Sequence, residues 1–237
     1  MKILALETSA KAVSAAVTEN GAVAASCYQC TGLTHSRTLM PMVEAMLRNA
    51  DLSTSDLGVI AVAAGPGSFT GIRIGVAAAK GLAFALSLPT VGVSTLEAMA
   101  RNVAFADGII VCAMDARRGQ FYNAVFEAED GMLTRITPDR AVAPDLLVKE
   151  LEKVEKRKIV VGDGALLCYN MLLENRIACS LAPPHLLMQN AVGVGFAAEA
   201  LAREGKLQSA QDLTPVYLRI SQAERERNER MKKERQI

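Results

Sequence analysis

The sequence predicts an α/β fold made of two related halves, and three observations support this. Short apolar runs bounded by turn residues alternate along the chain with segments of helical periodicity. The predicted order of the first half is three strands, helix, strand, helix, strand and helix, and the second half repeats it in a shorter form that is richer in strands. Asp107 and Gly108 form a turn signal between the halves. The order differs from the strict alternation of a dinucleotide-binding fold.

The first half begins with three predicted strands, at residues 3–7, 13–18 and 22–30. Asn20 and Gly21, between the second strand and the third, are a strong hairpin signal because both residue types accept a positive φ. A helix is predicted for residues 36–49, after a cap at Thr34. Its apolar residues cover more than a single stripe, which indicates burial on two sides.

The rest of the first half is built around a glycine-rich turn, residues 65–71 (GPGSFTG). The continuous apolar run before it, at 57–64, predicts a strand in a sheet that is covered on both faces. A helix is predicted after the turn, at residues 71–86. A short strand at 91–93 and a helix that ends near residue 105, capped by Ser94 or Thr95, complete this half.

The second half is predicted to contain strands at 109–114, 120–127, 132–136 and 158–161, and helices at 144–156, 165–174 and 191–204. We therefore expect one lobe at residues 1–106, a smaller lobe at 107–220 and a charged tail at 221–237. Both signs of charge are mixed at 224–235, which is typical of a solvated helix or of a segment that orders on a protein or RNA partner.

The composition excludes several classes of protein. Apolar residues make up 51% of the chain, yet none of its apolar runs reaches the roughly 20 residues that a membrane span needs. The opening apolar run is too short for a signal peptide and ends at Glu7, so we expect a cytoplasmic protein with no membrane partner. The net charge of +1 gives no overall field that would attract nucleic acid.

The five cysteines suit reduced thiols better than a disulfide framework, because their number is odd and most lie in apolar segments. Cys27 and Cys30 have the C-x-x-C spacing of a redox pair. They fall in a predicted strand, where residues three apart point to opposite faces. The spacing therefore does not predict a redox pair here.

The glycine-rich turn has three readings that the residues leave open: a tight structural turn, an anion or nucleotide contact at a helix N-terminus, and part of a protein interface. It is not a Walker A loop, because the nearest lysine, Lys80, lies nine residues beyond Gly71. It also lacks the third glycine of G-x-G-x-x-G. Ser68 stands one place away from the serine of a nucleophile elbow, so hydrolase chemistry is not predicted.

No metal site is predicted. The chain has two histidines, His35 and His185, one in each half, and no spacing of carboxylates completes a ligand set around either. His35 is expected to make a local hydrogen bond at the start of its helix. We also predict no catalytic residue.

Four segments carry a family resemblance across almost the whole chain. They are residues 3–9 (ILALETS), 65–75 (GPGSFTGIRIG), 80–83 (KGLA) and 214–219 (TPVYLR). Together they resemble the TsaB family, also called YeaZ. The resemblance implies a two-lobed actin-like fold (ASKHA, ribonuclease H-like) with a duplicated mixed β-sheet and flanking helices.

The resemblance also implies a function in tRNA modification. Members of this family work with the catalytic paralogue TsaD and the ATPase TsaE, and form a homodimer when alone. The complex transfers a threonylcarbamoyl group from an adenylate to the adenosine next to the anticodon of tRNA. By this resemblance the chain contacts tRNA through the complex and binds no cofactor alone, with ATP or ADP as a candidate ligand at the partner interface.

The metal ligands of TsaD have no counterpart in this sequence. TsaD carries a His-x-x-x-His motif on the helix after its glycine-rich turn, and the corresponding positions here are Thr95 and Met99. Neither side chain replaces imidazole as a ligand for iron or zinc. The resemblance therefore implies a non-catalytic subunit. The alternatives are a stand-alone metallopeptidase-like enzyme and an ATP-binding enzyme of the same superfamily.

Two groups of candidate site residues follow from the resemblance. The partner interface is expected to use residues of the two helices of the first half, namely Leu39, Met40, Val43, Met46, Leu47, Ile72, Gly75, Ala78 and Ala79. Residues 7–9 resemble the first phosphate loop of sugar kinases, Hsp70 and actin. The candidate nucleotide or anion contacts are Thr8, Ser9, Gly67, Ser68 and Gly71.

Overall fold

Two mixed β-sheets form the framework of the computed structural model, which describes residues 1–219. The strands are β1 (Lys2–Glu7), β2 (Val13–Glu19), β3 (Ala22–Gln29), β4 (Leu57–Gly65), β5 (Thr90–Ser94), β6 (Gly108–Asp115), β7 (Phe121–Glu129), β8 (Met132–Arg135), β9 (Arg140–Val142), β10 (Lys158–Val161) and β11 (Ser180–Leu181). The helices are α1 (His35–Asn49), α2 (Phe69–Leu86), α3 (Thr95–Asn102), α4 (Pro144–Leu151), α5 (Ala165–Glu174) and α6 (Ala191–Arg203). The predicted charged tail lies outside the described residues.

The first sheet has the order β3-β2-β1-β4-β5, with the first three strands antiparallel and the last three parallel. Its hairpin between β2 and β3 is the one predicted, and Asn20 and Gly21 have φ values of 52° and 79°. The central strands β1 and β4 are almost wholly buried, because α1 and α2 cover one face of the sheet and α6 covers the other.

The second sheet has the order β11-β10-β6-β7-β8, and the short strand β9 also pairs with β7. Helix α3 contacts both sheets, while α6, which follows the second sheet in sequence, packs on the first sheet and on α3. Close approach is possible there because a Cβ at Gly193 would collide with the backbone oxygen of Ala98. Helix α6, although it lies late in the sequence, thus packs on the sheet formed by the first half of the chain. The division into two lobes between residues 106 and 107 stays a prediction.

Most element boundaries agree with the sequence, and the differences lie at helix ends. The helix expected to reach residue 105 ends at Asn102, and the one expected to reach 156 ends at Leu151. Ser94 caps α3 by accepting a hydrogen bond from the Glu97 amide at 3.1 Å, as predicted. Thr34 precedes α1, but its side chain makes no capping bond.

Helix α2 is the one helix among residues 1–219 that is long and apolar enough to cross a membrane by length and composition alone. About a third of it (33%) is buried within the chain. Since it lies along the first sheet with one side in the core, its other side is exposed, and this side is apolar from Ala77 to Ala85.

Candidate functional site

The glycine-rich turn packs directly against the turn between β1 and β2. A Cβ at Gly71 would collide with the backbone oxygen of Thr8, and a Cβ at Gly67 would lie 2.5 Å from that of Ser9. The two turns are also hydrogen-bonded: the Ser68 amide donates to the Ser9 oxygen at 2.7 Å, and the Thr8 hydroxyl donates to the Gly71 oxygen at 2.8 Å. The glycines therefore permit a close contact between two segments of this chain.

This contact determines which of the candidate anion-binding residues are exposed and which are buried. Thr8 and Ser9 are fully buried, and Thr8 uses its hydroxyl within the chain. Ser68 is exposed and caps α2, its hydroxyl accepting from the Gly71 amide at 3.3 Å. Any ligand at this turn would thus meet Gly67 and Ser68 before Thr8 or Ser9. Nucleotide contact at these residues remains a prediction.

Glu7, at the end of β1, is a fully buried carboxyl group. One of its oxygens accepts a hydrogen bond from the Ser9 amide at 2.5 Å, and the other has no partner among the described residues. Burial is the main cause that raises the pKa of Glu7 to about 7, and the nearby Asp163 adds to the effect. Asp163, which accepts from Gln189 at 2.9 Å, also has a pKa raised by burial.

The stability of the folded chain should therefore depend on the protonation of Glu7. The pKa of this carboxyl is about 7 in the folded chain against 4.5 for the ordinary group. Between these pH values the folded chain holds a proton that the unfolded chain has lost, so the free energy of unfolding contributed by Glu7 falls as pH rises. The full shift corresponds to about 3 kcal/mol.

The variant Glu7→Gln should remove this dependence, because the neutral amide keeps the acceptor for Ser9 and carries no buried charge. We expect it to be more stable than the parent at pH 8 and to flatten the pH profile between 5 and 7, as measured by urea denaturation. Glu155→Gln, at an exposed carboxylate, is the matched control. Equal pH profiles for the parent and Glu7→Gln would contradict the prediction.

The two positions that the resemblance matches to the TsaD ligands, Thr95 and Met99, lie in the interior. Thr95 has no exposed surface, and Met99 is 1% exposed and belongs to the apolar core beneath the second sheet. Among residues 1–219, no three His, Cys, Asp or Glu side chains are grouped as metal ligands would be. His35 bonds the Ala10 oxygen at 2.7 Å, which ties α1 to the β1–β2 turn in place of the local bond expected.

The predicted interface residues are mainly core residues of this chain. Seven of the nine are buried: Leu39, Val43, Met46, Leu47, Ile72, Gly75 and Ala79. Met40 is 40% exposed, and Ala78 is half-buried. The reason is that α1 and α2 lie flat on the first sheet, so the apolar periodicity that singled them out marks the face turned inward. A partner on these helices would contact their outer positions.

The outer face of α2 is apolar from Ala77 onward, and this part was not identified from the sequence. Ala77, Gly81 and Ala85 follow at intervals of four residues, all exposed, and a Cβ at Gly81 would meet open space. Phe84 beside them is 78% exposed. The repeat of small residues at i, i+4 and i+8 is a signal that could have found this stripe. We call Ala77, Gly81, Phe84 and Ala85 the α2 stripe.

A groove lies between α1, the loop that follows α1, and residues of the central strands β1 and β4 and of α2. Its volume is about 690 Å³, and its lining is mostly apolar. The lining includes Met40, Pro41, Val43, Leu47, Leu52 and Leu82. Glu44 and Arg48 lie at its side and form an exposed ion pair at 3.6 Å. The exposed α2 stripe and this groove are the features of the first half best suited to receive another protein.

Comparison with known proteins identifies relatives over nearly the whole chain. A family model described as TsaD, tRNA N6-adenosine threonylcarbamoyltransferase, matches residues 29–226. The tRNA threonylcarbamoyladenosine biosynthesis protein TsaB of Bacillus subtilis is 34% identical, with 94% of this chain and 96% of that protein covered. The Escherichia coli protein of the same name is 32% identical, with 92% and 95% covered.

The solved structure of YeaZ from Pseudomonas aeruginosa is similar in fold as well as in sequence. The TM-score is 0.75 at 28% identity, and the match covers 92% of this chain and 99% of that one. The likeness confirms the two-lobed actin-like fold, with two mixed sheets and flanking helices, that the resemblance implied.

Proposed function

Because the chain belongs to the TsaB family, whose curated members are named for tRNA threonylcarbamoyladenosine biosynthesis, we propose that it is a non-catalytic subunit of the enzyme complex for that modification. In this proposal the chain binds the catalytic paralogue TsaD and holds it in an active form. TsaD then transfers the threonylcarbamoyl group to the adenosine next to the anticodon. The tRNA substrate is consistent with the cytoplasmic location expected from the sequence.

The observation that carries the proposal is the exposed apolar face of α2. Exposing Phe84 and the small residues beside it to water costs free energy. A partner surface that covers them would remove this cost. Small residues also let a second helix approach closely. Helices of 15 and 18 residues are about 22 and 27 Å long, enough to support much of a standard interface of roughly 1,600 Å².

The interior of α3 supports the non-catalytic part of the proposal. By the resemblance, Thr95 and Met99 correspond to the two TsaD histidines, and both are buried in the core. Hydroxyl and thioether groups are poor ligands for iron or zinc, and a buried position leaves no path for a substrate. Chemistry of the TsaD kind would therefore take place on the partner.

Further partners follow from the same proposal. TsaE would join the complex, and a second copy of this chain would cover the α2 stripe when TsaD is absent. ATP or ADP at the shared interface would approach the exposed side of the turn at Gly67 and Ser68, since Thr8 and Ser9 face inward.

The test is reconstitution of tRNA modification from purified proteins. We expect unmodified tRNA, TsaD, TsaE, ATP and the threonylcarbamoyl donor to give product only when this chain is present. Activity of equal rate without the chain would overturn the proposal.

Calorimetric titration of the chain alone with ATP and magnesium tests the rival ATP-binding enzyme. Under the proposal, the isolated chain neither binds ATP tightly nor hydrolyses it. Tight binding with turnover would favour the rival.

A further inference from the structure

The last described segment, residues 211–219, runs along both halves of the molecule; we call it the strap. Its own charged side chains are Asp212 and Arg219, and Arg73 and Lys80 of α2 donate hydrogen bonds to it. Lys80 of α2 donates to the oxygens of Gln211 and Leu213, each at 3.0 Å. The Val216 amide donates to the Ala64 oxygen at 2.7 Å, at the end of β4. Arg219 then reaches the second half, where it donates to the Ala116 oxygen at 2.7 Å.

An aromatic pair lies at the middle of the strap. The rings of Tyr217 and Phe69 are stacked with centroids 4.3 Å apart, and Tyr217 is 39% exposed. Arg73 donates through Nε to the Tyr217 hydroxyl at 2.8 Å, and its guanidinium lies 5.6 Å from the Phe69 ring centroid. Phe69 and Tyr217 thus position the Arg73 guanidinium, and neither ring carries a charge that would neutralise it.

The cations along the strap have neutral partners. Arg73, Lys80, Arg118 and Arg219 form no salt bridge with any residue in the described part of the chain. Their hydrogen bonds, where they have them, go to carbonyl or hydroxyl oxygens. Asp212, the carboxylate within the strap, accepts a hydrogen bond from the Ser209 hydroxyl at 2.6 Å. The chain as a whole carries a net charge of only +1, so this row is a local concentration of charge.

The turn beyond the strap presents two more arginine side chains to solvent. Arg117, Arg118 and Gly119 have φ values of 62°, 56° and 68°, a left-handed conformation that is costly for the two arginines. Asp115 supports the turn by accepting from the Arg117 amide at 2.7 Å, and Arg219 supports it through the Ala116 oxygen. Arg117 is 83% exposed, with a loose ion pair to Asp115 at 3.5 Å.

We propose that this surface, formed by Arg73, Lys80, Arg117, Arg118 and Arg219 with the Phe69–Tyr217 pair, binds the phosphate backbone of RNA. The inference rests on the proposed function, which makes tRNA the substrate of the complex. Guanidinium groups bind phosphate oxygens through two parallel hydrogen bonds. The nine strap residues span at most about 30 Å, so the cations can contact several consecutive phosphates. An acidic protein surface is the competing partner, but a row of cations beside an exposed tyrosine ring, Tyr217, fits single-stranded or loop RNA better.

The test measures tRNA affinity of the full chain, alone and in its complex with TsaD, by fluorescence anisotropy of labelled unmodified tRNA. The double variant R117Q/R118Q removes two charges in the turn between β6 and β7, which is not part of α2, and R73Q tests the aromatic end separately. We expect R117Q/R118Q to bind tRNA about tenfold more weakly at low salt, with the slope of log affinity against log salt reduced by about one to two units. The matched control K149Q/K153Q, at two exposed lysines of the second half, should bind as the parent does.

The outcomes separate this inference from the proposed function. Unchanged tRNA affinity in R117Q/R118Q, with reconstitution still dependent on the chain, overturns the RNA surface and leaves the proposed function standing. Loss of co-elution with TsaD at unchanged tRNA affinity assigns the arginines to a protein contact and also overturns the inference. Thermal melting of each variant checks that the fold is retained.

Discussion

Ala77→Arg is expected to abolish co-elution with TsaD and, with it, tRNA modification in the reconstituted system. Ala77 is exposed at the N-terminal end of the α2 stripe, so arginine fits the isolated chain without strain. In the complex, the same side chain would be buried in an apolar contact with no partner for its charge. We expect affinity to fall at least about 100-fold, near 3 kcal/mol, measured by calorimetry or gel filtration.

A matched control is available on another helix. Leu167 of α5 is 59% exposed, so Leu167→Arg places the same charge on an exposed apolar position outside the proposed interface. It should leave assembly and melting temperature unchanged. Assembly that survives Ala77→Arg would show that the partner binds elsewhere.

Val43 illustrates why the choice of position matters. The sequence places it among interface residues, but it is 3% exposed and lies in the core beneath the first sheet. Val43→Glu would therefore destabilise the fold itself through a buried charge. Loss of the complex in that variant would say nothing about the interface.

Gly193→Val is expected to cause the largest loss of stability. A Cβ at this position would collide with the backbone oxygen of Ala98 and lie 2.8 Å from the Asn102 side-chain nitrogen. Backbone cannot move aside as a flexible side chain can, so α6 and α3 must separate. We expect the free energy of unfolding to fall by about 3 kcal/mol or more, and the melting temperature by about 6 to 12 °C.

Gly81→Ala is the control for this prediction, because a Cβ there would meet open space in the isolated chain. Alanine should stabilise α2 by up to about 1 kcal/mol, since it loses less backbone entropy than glycine in a helix. Calorimetric melting of dilute protein measures both variants. A Gly193→Val variant that melts with the parent would disprove the close packing of α3 and α6.

Local patterns predicted much of the fold. The hairpin at Asn20 and Gly21, the Ser94 cap and the buried strand before the glycine-rich turn all follow from short-range preferences that the tertiary structure preserves. The helices predicted to reach residues 105 and 156 end earlier, at Asn102 and Leu151. The short strands β9 and β11 were missed, since two or three residues carry no periodicity.

The candidate site was predicted less well, because exposure is a property of the assembled chain. Apolar periodicity located α1 and α2 correctly, but it could not tell which apolar residues face the sheet. Leu39 and Ile72 therefore entered the interface list although both are buried. The cluster of Arg73, Tyr217 and Arg219 was also not predicted. Arg73 lies more than 140 residues before the other two in the chain, and only the folded structure brings them together.

The sequence by itself determined the family and the two-lobed fold, because these depend on residue identity and local order. Only the tertiary structure decided what the glycine-rich turn touches, where α6 packs and which face of α2 is exposed. Each of these depends on a contact between segments far apart in the chain. The residue types permit such a contact, but the packing of the whole chain determines whether it forms.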